Sequence, residues 1–495
     1  MKQNTYKILE IIQALDEETL KQARLYLLSP LHCTNESLLR LFDHLVKQKE
    51  KGWVFQKEKA YRAVETEKKY TNKAISRLMS LLTKELEAFL AWRTYRTDKY
   101  AQEFYRLHAW QEFRLDKFFF QNTRQLQQQI DEGDQGALFY EKFLLAKALF
   151  FHPATDKYDI RRAQYLQMMR FIERDTVLKT LKFGGEWLLY KRVIQVENVP
   201  PLLISLIREF AFIDEPDFSI RFFAGILQLY EQNSPPAHFT ELFALLQQHW
   251  GILSWEEAAL AVKLLINFAG PKAEQGQDFY LDQLFALIKW ALETELFLEK
   301  GRITEVRFTN VVAIAAKLKA FGWAQSFVAQ YKYHLVLEEK EDIEGVLALN
   351  QAYILYHEGF VKLPDTALLE EAYRLLANTP KSTDVTNLRI YSLSVRVLFD
   401  LLLFSETEFF IEQFFAVIKN FRSFLGRQKK ISRIKKTAYR EFLDYMVQFG
   451  RFCLRPDATP ERILQYRREI ASKEFFLKDW LLTRLEHIAQ QKYRR

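Results

Sequence analysis

The chain is poor in cysteine and in the residues that punctuate β-structure. Its 495 residues include 15 Gly, 12 Pro and 2 Cys. An all-β fold needs a turn residue every few positions, and the sequence has neither that density nor a sustained alternation of apolar and polar residues. Cys33 and Cys453 lie far apart, which excludes a disulfide framework and favours two reduced thiols in a cytosolic protein.

Long uncharged apolar runs are also missing. No window reaches the ~18 consecutive apolar residues expected of a membrane-spanning helix. Glu10 interrupts the first apolar stretch too early for a secretory signal. We therefore expect a cytoplasmic protein that does not insert into a membrane.

Motifs that carry chemistry are absent as well. The sequence contains no G-x-x-x-x-G-K-[ST] or G-x-G-x-x-G phosphate loop, no H-E-x-x-H and no G-x-S-x-G. We interpret Gly184-Gly185 as a turn or a helix C-cap rather than a phosphate loop. These absences predict no catalytic residues, no metal and no cofactor, since an enzyme would need a site assembled from distant residues.

The sequence is rich in aromatic residues and in apolar segments of helical length. There are 42 Phe, 23 Tyr and 9 Trp, and apolar segments of ~12–20 residues alternate with short breaks such as Gly270-Pro271. This pattern predicts an all-α protein of stacked antiparallel helix pairs whose seams are filled by large rings. The aromatic clusters are accordingly predicted to be core rather than base-stacking surfaces: Phe118-Phe119-Phe120, Phe409-Phe410, Phe414-Phe415 and Phe475-Phe476.

The first 95 residues are predicted to form a separate helical domain. Asp16 and Thr71 or Asn72 are good N-caps, because their side chains can accept from the free amides of a first helical turn. One long helix has an apolar face formed by Ile75, Leu78, Leu82, Leu86 and Phe89. Residues 100–300 are predicted to be a degenerate array of helical hairpins, and residues 301–495 to be clearer repeats followed by C-terminal helices.

Helical repeats are clearest after residue 307. Helices are predicted at 308–320, 323–337, 345–358, 366–377, 387–404 and 407–425. Turns are predicted at Phe321-Gly322 and Gly359-Phe360, and the two glycines lie 37 residues apart, a spacing typical of helical repeats.

The segment LALNQAYILYHEGF (Leu347–Phe360) resembles the first helix and turn of a tetratricopeptide repeat. Ala352 matches the small residue of that helix and Gly359 matches the turn glycine. Matching positions in the neighbouring units are Ala315, Gly322, Ala372 and Pro380. The resemblance implies a right-handed α-solenoid whose groove binds a peptide or protein through the first helix of each pair. The candidate groove contacts are Asn310, Lys317, Asn350, Tyr353, Asn387, Arg389 and Tyr391.

The wider layout resembles an uncharacterised family of bacterial helical-repeat proteins. Three segments carry this resemblance, namely Ser29–Leu45, Asn310–Val328 and Phe424–Leu443. It supports the architecture and implies no activity.

Positive charge is concentrated near the C-terminus. Eight basic residues and no acidic residue lie between Phe421 and Arg440, which matches the net charge of +8 for the whole chain. This basic stripe consists of Arg422, Arg427, Lys429, Lys430, Arg433, Lys435, Lys436 and Arg440. It could bind phosphates or an acidic partner, or it could be a solvated face.

Two functional hypotheses follow from these observations. The first is a non-enzymatic scaffold that binds a protein or peptide in the groove of a helical array. The alternative is a nucleic-acid-associated or regulatory protein that contacts phosphates through the basic stripe.

Overall fold

The all-α class is confirmed by the computed structural model, which is 84% helical with almost no sheet. Its described part contains 22 α-helices packed in neighbouring pairs. The structure describes all residues except 1–5, 51–54, 66–68, 134–136, 155–157, 195–215, 231–233, 338–342, 380–382, 406–408, 429–430, 432, 455–458, 473–476 and 494–495.

Two compact units make up the chain. The N-terminal unit comprises Met1–Glu132 and Phe139–Ile172, and the C-terminal unit comprises Gly133–Leu138 and Glu173–Arg495. The helices of the N-terminal unit are α1 (Lys7–Ala14), α2 (Glu17–Leu28), α3 (Glu36–Glu50), α4 (Lys57–Val64), α5 (Asn72–Thr97), α6 (Lys99–Glu112), α7 (Asp116–Asp131), α8 (Phe139–Phe151) and the first part of α9 (Tyr158–Ile194). The predicted boundary near residue 95 falls beside the junction of α5 and α6.

Local sequence signals set the helix starts of the N-terminal unit. The Asp16 carboxylate accepts from the Thr19 amide at 2.7 Å, and the Thr71 hydroxyl accepts from the Ala74 amide at 3.1 Å, so both N-caps are confirmed. The predicted apolar face of α5 is confirmed too: Ile75, Leu82, Leu86 and Phe89 are buried, and Leu78 packs against the same core. This core joins α1 to α5.

The C-terminal unit is also built from helices. It contains the rest of α9, α10 (Phe218–Leu229), α11 (Pro236–His249), α12 (Trp255–Glu274), α13 (Asp278–Glu293), α14 (Glu305–Lys317), α15 (Phe321–Tyr331), α16 (Ile343–Glu358), α17 (Thr366–Asn378), α18 (Asp384–Phe404), α19 (Phe409–Arg427), α20 (Arg433–Leu454), α21 (Pro460–Ser472) and α22 (Lys478–Tyr493). Two short strands, β1 (Ile303–Thr304) and β2 (Leu335–Val336), pair in parallel beside α14.

A regular contact pattern runs through α14 to α20. Helix α14 packs against both α15 and α16, helix α16 packs against both α17 and α18, and helix α18 packs against both α19 and α20. Each helix of this series therefore touches its own partner and the next helix of the series. That pattern is compatible with a helical repeat.

Large rings fill the seams of this array, as predicted, but the adjacent rings of the clusters at 118–120 and 409–410 are buried unequally. Phe410 and Phe414 are buried while Phe409 is exposed, and Phe119 is buried while Phe118 is exposed. Adjacent residues on a helix point about 100° apart, so a pair cannot bury both rings against one neighbour. Phe475-Phe476 lies outside the described residues.

Three predicted breaks are wrong. Gly184 and Gly185 lie inside α9, and a Cβ on Gly185 would stand 2.9 Å from Leu264 of α12, so close packing of two helices explains that glycine. Pro271 lies near the end of α12 rather than after it. The turn predicted at Phe321-Gly322 comes earlier, because Lys319 adopts a left-handed conformation (φ 60°) and α15 begins at Phe321.

Candidate functional site

The predicted groove contacts lie on three neighbouring helices. Asn310 and Lys317 belong to α14, Asn350 and Tyr353 to α16, and Asn387, Arg389 and Tyr391 to α18. The side chains of Asn310 and Arg389 meet, since the Arg389 Nη2 donates to the Asn310 Oδ1 at 2.8 Å. The helices that carry these two residues are thus joined at the surface by a hydrogen bond across 79 positions of sequence.

Other members of the predicted set are packed inside the protein. Asn350 has no exposed surface and donates to the Val346 carbonyl and the Thr309 hydroxyl, at 2.7 Å and 3.2 Å. It holds α16 to α14 and is not available to a partner in this conformation. Tyr391 stacks on Phe421 with its ring centroid 5.2 Å away, which makes it part of the seam between α18 and α19.

Positive charge converges beside the Asn310–Arg389 contact. Lys317 donates to the Ala273 carbonyl at the end of α12, at 3.2 Å. Next to that carbonyl, the side chain of Glu274 is exposed. Desolvation by the surrounding protein raises the pKa of Glu274, against the fields of Arg389, Lys317 and Lys435, which lower it. Cations from α14, α18 and α20 therefore act electrostatically on one carboxyl group.

Arg396 is the deepest cation of this group. It lies two helical turns after Arg389 on α18, on the same face, and only 7% of its surface is exposed. Its Nε donates to the Ser392 carbonyl at 3.3 Å, and its guanidinium lies 5.9 Å and 5.7 Å from the ring centres of Tyr353 and Tyr356. Within the described part of the chain no carboxylate stands at ion-pair distance from Arg396.

Neutral aromatic groups surround Arg396. Burial lowers the pKa of His357 to about 3, and Arg396, Lys317 and Arg484 act in the same direction, so the imidazole is uncharged at neutral pH. Burial also raises the pKa of Tyr439, whose phenol lies in the fields of Arg389 and Arg396. The carboxylate of Asp400 lies one turn further along α18, but both of its oxygens accept from Arg484 rather than from Arg396.

We call Lys317, Arg389, Arg396 and Lys435 the cationic face. Sequence reasoning identified Lys317 and Arg389 as groove residues and placed Lys435 in the basic stripe, but it missed Arg396. The arginine stands in an apolar run of α18 and therefore looks like a core position. Its seven-residue spacing from Arg389 is the signal that could have placed both cations on one face.

Some residues of the basic stripe have partners within the protein, whereas others are exposed. Arg422 pairs with Asp444, and Lys436 donates to the Gln428 carbonyl. Arg427 donates to the Ser423 carbonyl at 3.3 Å, whereas Arg433 and Arg440 are exposed on α20. Lys435 is exposed and acts on Glu274, which makes it common to the stripe and the cationic face. Lys429 and Lys430 lie outside the described residues.

The described residues contain no group of three or more His, Cys, Asp or Glu residues arranged to hold a metal ion. None of the helices in this part of the chain combines the length and apolarity needed to cross a membrane.

Comparison with known proteins places the chain in no group. No family model matches it, and neither a curated protein nor a solved structure matches it significantly. The helices are packed in neighbouring pairs, which is compatible with a helical repeat of no specific family.

Proposed function

We propose that this protein is a non-enzymatic scaffold that binds an acidic segment of a partner protein on its cationic face. In this proposal α14–α15, α16–α17 and α18–α19 are successive antiparallel pairs of a right-handed, tetratricopeptide-like solenoid. The helices α14, α16 and α18 then line the groove, and Lys435 of α20 extends it. The proposed location is cytoplasmic.

One observation carries the proposal, namely that the buried guanidinium of Arg396 has no ion pair within the described residues, since both oxygens of Asp400, one turn further along α18, accept from Arg484. A buried charge without a counter-ion is costly, and an incoming carboxylate would supply the missing partner. Lys317 and Arg389 would add longer-range attraction, since both already act on Glu274. Hydrogen bonds between two charged groups are about twice as strong as neutral ones, so a few carboxylates are enough to orient a peptide.

Fluorescence anisotropy with a labelled ten-residue polyglutamate peptide tests this proposal. We expect binding that weakens with added salt, because exposed cations are screened. The double variant Lys317→Gln/Arg389→Gln should weaken binding about tenfold or more, the effect of losing ~1.4 kcal/mol. Arg396→Gln should weaken it as well, with circular dichroism checking that the variant is folded.

A matched control is available on α17. Arg374 is an exposed arginine that pairs with Glu371 of the same helix, and Arg374→Gln should leave the affinity unchanged. Equal binding by the double variant and the wild type would contradict the proposal, as would equal affinity for a polylysine peptide of the same length.

The basic stripe supports a second candidate function, the binding of nucleic-acid phosphates. Arg433 and Arg440 favour it, because both are exposed on one face of α20. Charge reversal at Lys430, Arg433 and Lys436 should abolish binding of a labelled oligonucleotide and leave polyglutamate binding intact. If the oligonucleotide binds equally well to this variant, the stripe is not a phosphate site.

A further inference from the structure

The N-terminal unit has an open apolar depression between α2 and α5. Its volume is about 510 Å³, which is within the range of ligand pockets. The lining residues that matter are Leu25, Tyr26, His32, Trp92, Arg93 and Arg96. We call this depression the aromatic cup.

The walls of the cup are held by ring packing. His32 stacks on Tyr26 with centroids 4.2 Å apart and planes 13° from parallel, and Trp92 lies 5.9 Å from Tyr26. Beneath them Phe89, which is fully buried, packs 5.6 Å from Tyr26. The cup is therefore preformed, which reduces the ordering cost of an occupant.

Apolar surface continues beyond the cup. Leu25 and Trp92 are 68% and 42% exposed, and next to the cup along the chain Leu28 and Leu31 are 45% and 87% exposed. Scattered exposed leucines are ordinary, but a contiguous group beside a pocket is typical of an interaction surface. Because this surface extends past the cavity, it fits a helix-sized segment better than a small molecule.

The rim of the cup is positively charged. Arg93 and Arg96 line it, no carboxylate lines it, and the guanidinium of Arg96 lies 5.8 Å from the Trp92 ring centre. In the described part of the chain neither arginine forms an ion pair. Several carboxyl groups lie near the cup but outside its lining: Asp16 acts on Arg93, Glu85 acts on Tyr26, Glu18 accepts from Gln22, and Asp98 caps the next helix.

We propose that the aromatic cup docks an amphipathic, acidic helix of a partner protein. A large apolar side chain of that helix enters the cup, further apolar side chains cover Leu28 and Leu31, and carboxylates at the helix edge meet Arg93 and Arg96. Apolar contact supplies the affinity, and the two arginines fix the orientation of the helix. This site is separate from the cationic face and does not depend on it.

A designed peptide tests the site on the full-length chain. The probe is a fluorescein-labelled 16-residue helix with Phe and Leu at positions i, i+4 and i+7 and with Glu at the flanking positions. Two counterparts accompany it: one carries Ala at the apolar positions, and the other carries Lys in place of Glu. We expect the first peptide to bind and the two counterparts to bind at least tenfold more weakly.

Variants of the protein then locate the binding. Trp92→Ala and Leu25→Glu should each weaken binding at least tenfold. The pair Arg93→Glu/Arg96→Glu should reverse the preference, so that the Lys peptide binds better than the Glu peptide. The matched controls are Leu464→Glu, at a leucine exposed like Leu28, and Arg77→Glu, at an exposed residue elsewhere on α5. Neither control should change the affinity.

One further variant distinguishes binding at the aromatic cup from binding at the cationic face. The variant Lys317→Gln/Arg389→Gln should keep its affinity for the amphipathic peptide, whatever its effect on polyglutamate. The proposal is overturned if the amphipathic peptide does not bind, or if Trp92→Ala and Leu25→Glu bind it as well as the wild type does. It is also overturned if light scattering shows that Leu25→Glu converts a dimer to a monomer, since a second copy would then be the occupant.

Discussion

Arg484 and Asp400 form a bidentate ion pair inside the C-terminal unit. The Arg484 Nε and Nη2 donate to the two Asp400 oxygens at 2.6 Å and 2.9 Å. The Tyr356 hydroxyl donates to Asp400 at 2.7 Å and accepts from the Trp480 Nε1 at 2.6 Å. This network joins α22 to α16 and α18, so the last described helix is fixed to the array by polar contacts as well as by apolar packing.

Asp400→Asn is expected to destabilise the protein strongly. Asp400 is fully buried, and its loss as a charge leaves the Arg484 guanidinium buried without a counter-ion. Removing one partner of a buried pair typically costs about 3–5 kcal/mol. Thermal unfolding followed by circular dichroism measures the effect.

The control for this prediction is the exposed pair of Arg422 and Asp444. Asp444→Asn should cost no more than about 1 kcal/mol, the usual value of a surface ion pair. Similar melting temperatures for Asp400→Asn and Asp444→Asn would show that the buried network does not stabilise the fold.

Gly276→Ala is expected to destabilise the turn after α12. Gly276 has φ 86°, and a Cβ there would stand 1.7 Å from the Asp479 Oδ2, so the carboxylate has to move. We expect a loss of about 1–3 kcal/mol from the strained backbone and the displaced side chain. Chemical denaturation of the variant provides the measurement.

Gly301→Ala separates the two causes of that loss. Gly301 has φ 73°, and no atom lies within 4 Å of the place that an added methyl group would take, so its variant carries only the backbone strain. The double variant Gly276→Ala/Asp479→Ala should recover part of the stability. If the double variant is no more stable than Gly276→Ala alone, the contact with Asp479 does not matter.

His357→Gln is expected to make the stability less dependent on pH. The pKa of His357 falls from an ordinary 6.5 to about 3 in the folded protein. Below pH 6.5 the unfolded chain therefore binds a proton at this residue that the native chain does not bind, so stability falls as the pH is lowered from 7 towards 3. Between pH 7 and pH 5 the melting temperature of the variant should decrease less than that of the wild type.

Other histidines contribute to the same slope in both proteins. Burial also lowers the pKa of His44, His152 and His487, so the difference between the variant and the wild type is the informative quantity. His108→Gln, at an exposed residue, serves as the control. Parallel melting curves for the wild type and His357→Gln would argue against a buried neutral imidazole.

Ser254→Ala is expected to weaken the start of α12. The Ser254 hydroxyl accepts from the Glu257 amide at 3.2 Å, and the Glu257 carboxylate accepts from the Ser254 amide at 3.0 Å, which forms a capping box. Loss of such a cap costs about 1 kcal/mol. Glu257→Ala should cost more, because that buried carboxylate also binds Lys182 at 2.9 Å. Urea unfolding of both variants tests the order, and an equal loss would mean that the Lys182 contact adds nothing.

The candidate groove residues show what helical periodicity can and cannot predict. It placed Asn310, Lys317 and Arg389 on neighbouring helices, and the structure brings the first and the last into contact. It also selected Asn350, which is buried. The sequence shows that Asn350 is a polar residue of a helix, but it does not show which face of that helix another helix covers. It passed over Arg396 for the same reason, since a cation within an apolar run looks like core from the sequence alone.

The sequence by itself determined the all-α class and the helix starts at Asp16 and Thr71, because amphipathic spacing and N-capping involve residues only three or four positions apart. It wrongly predicted a turn or a helix C-cap at Gly185, and it did not predict the pairing of Arg484 with Asp400. Only the tertiary structure decided those features, because each depends on which distant helix packs alongside: Leu264 stands over Gly185, and 84 residues separate the two ions.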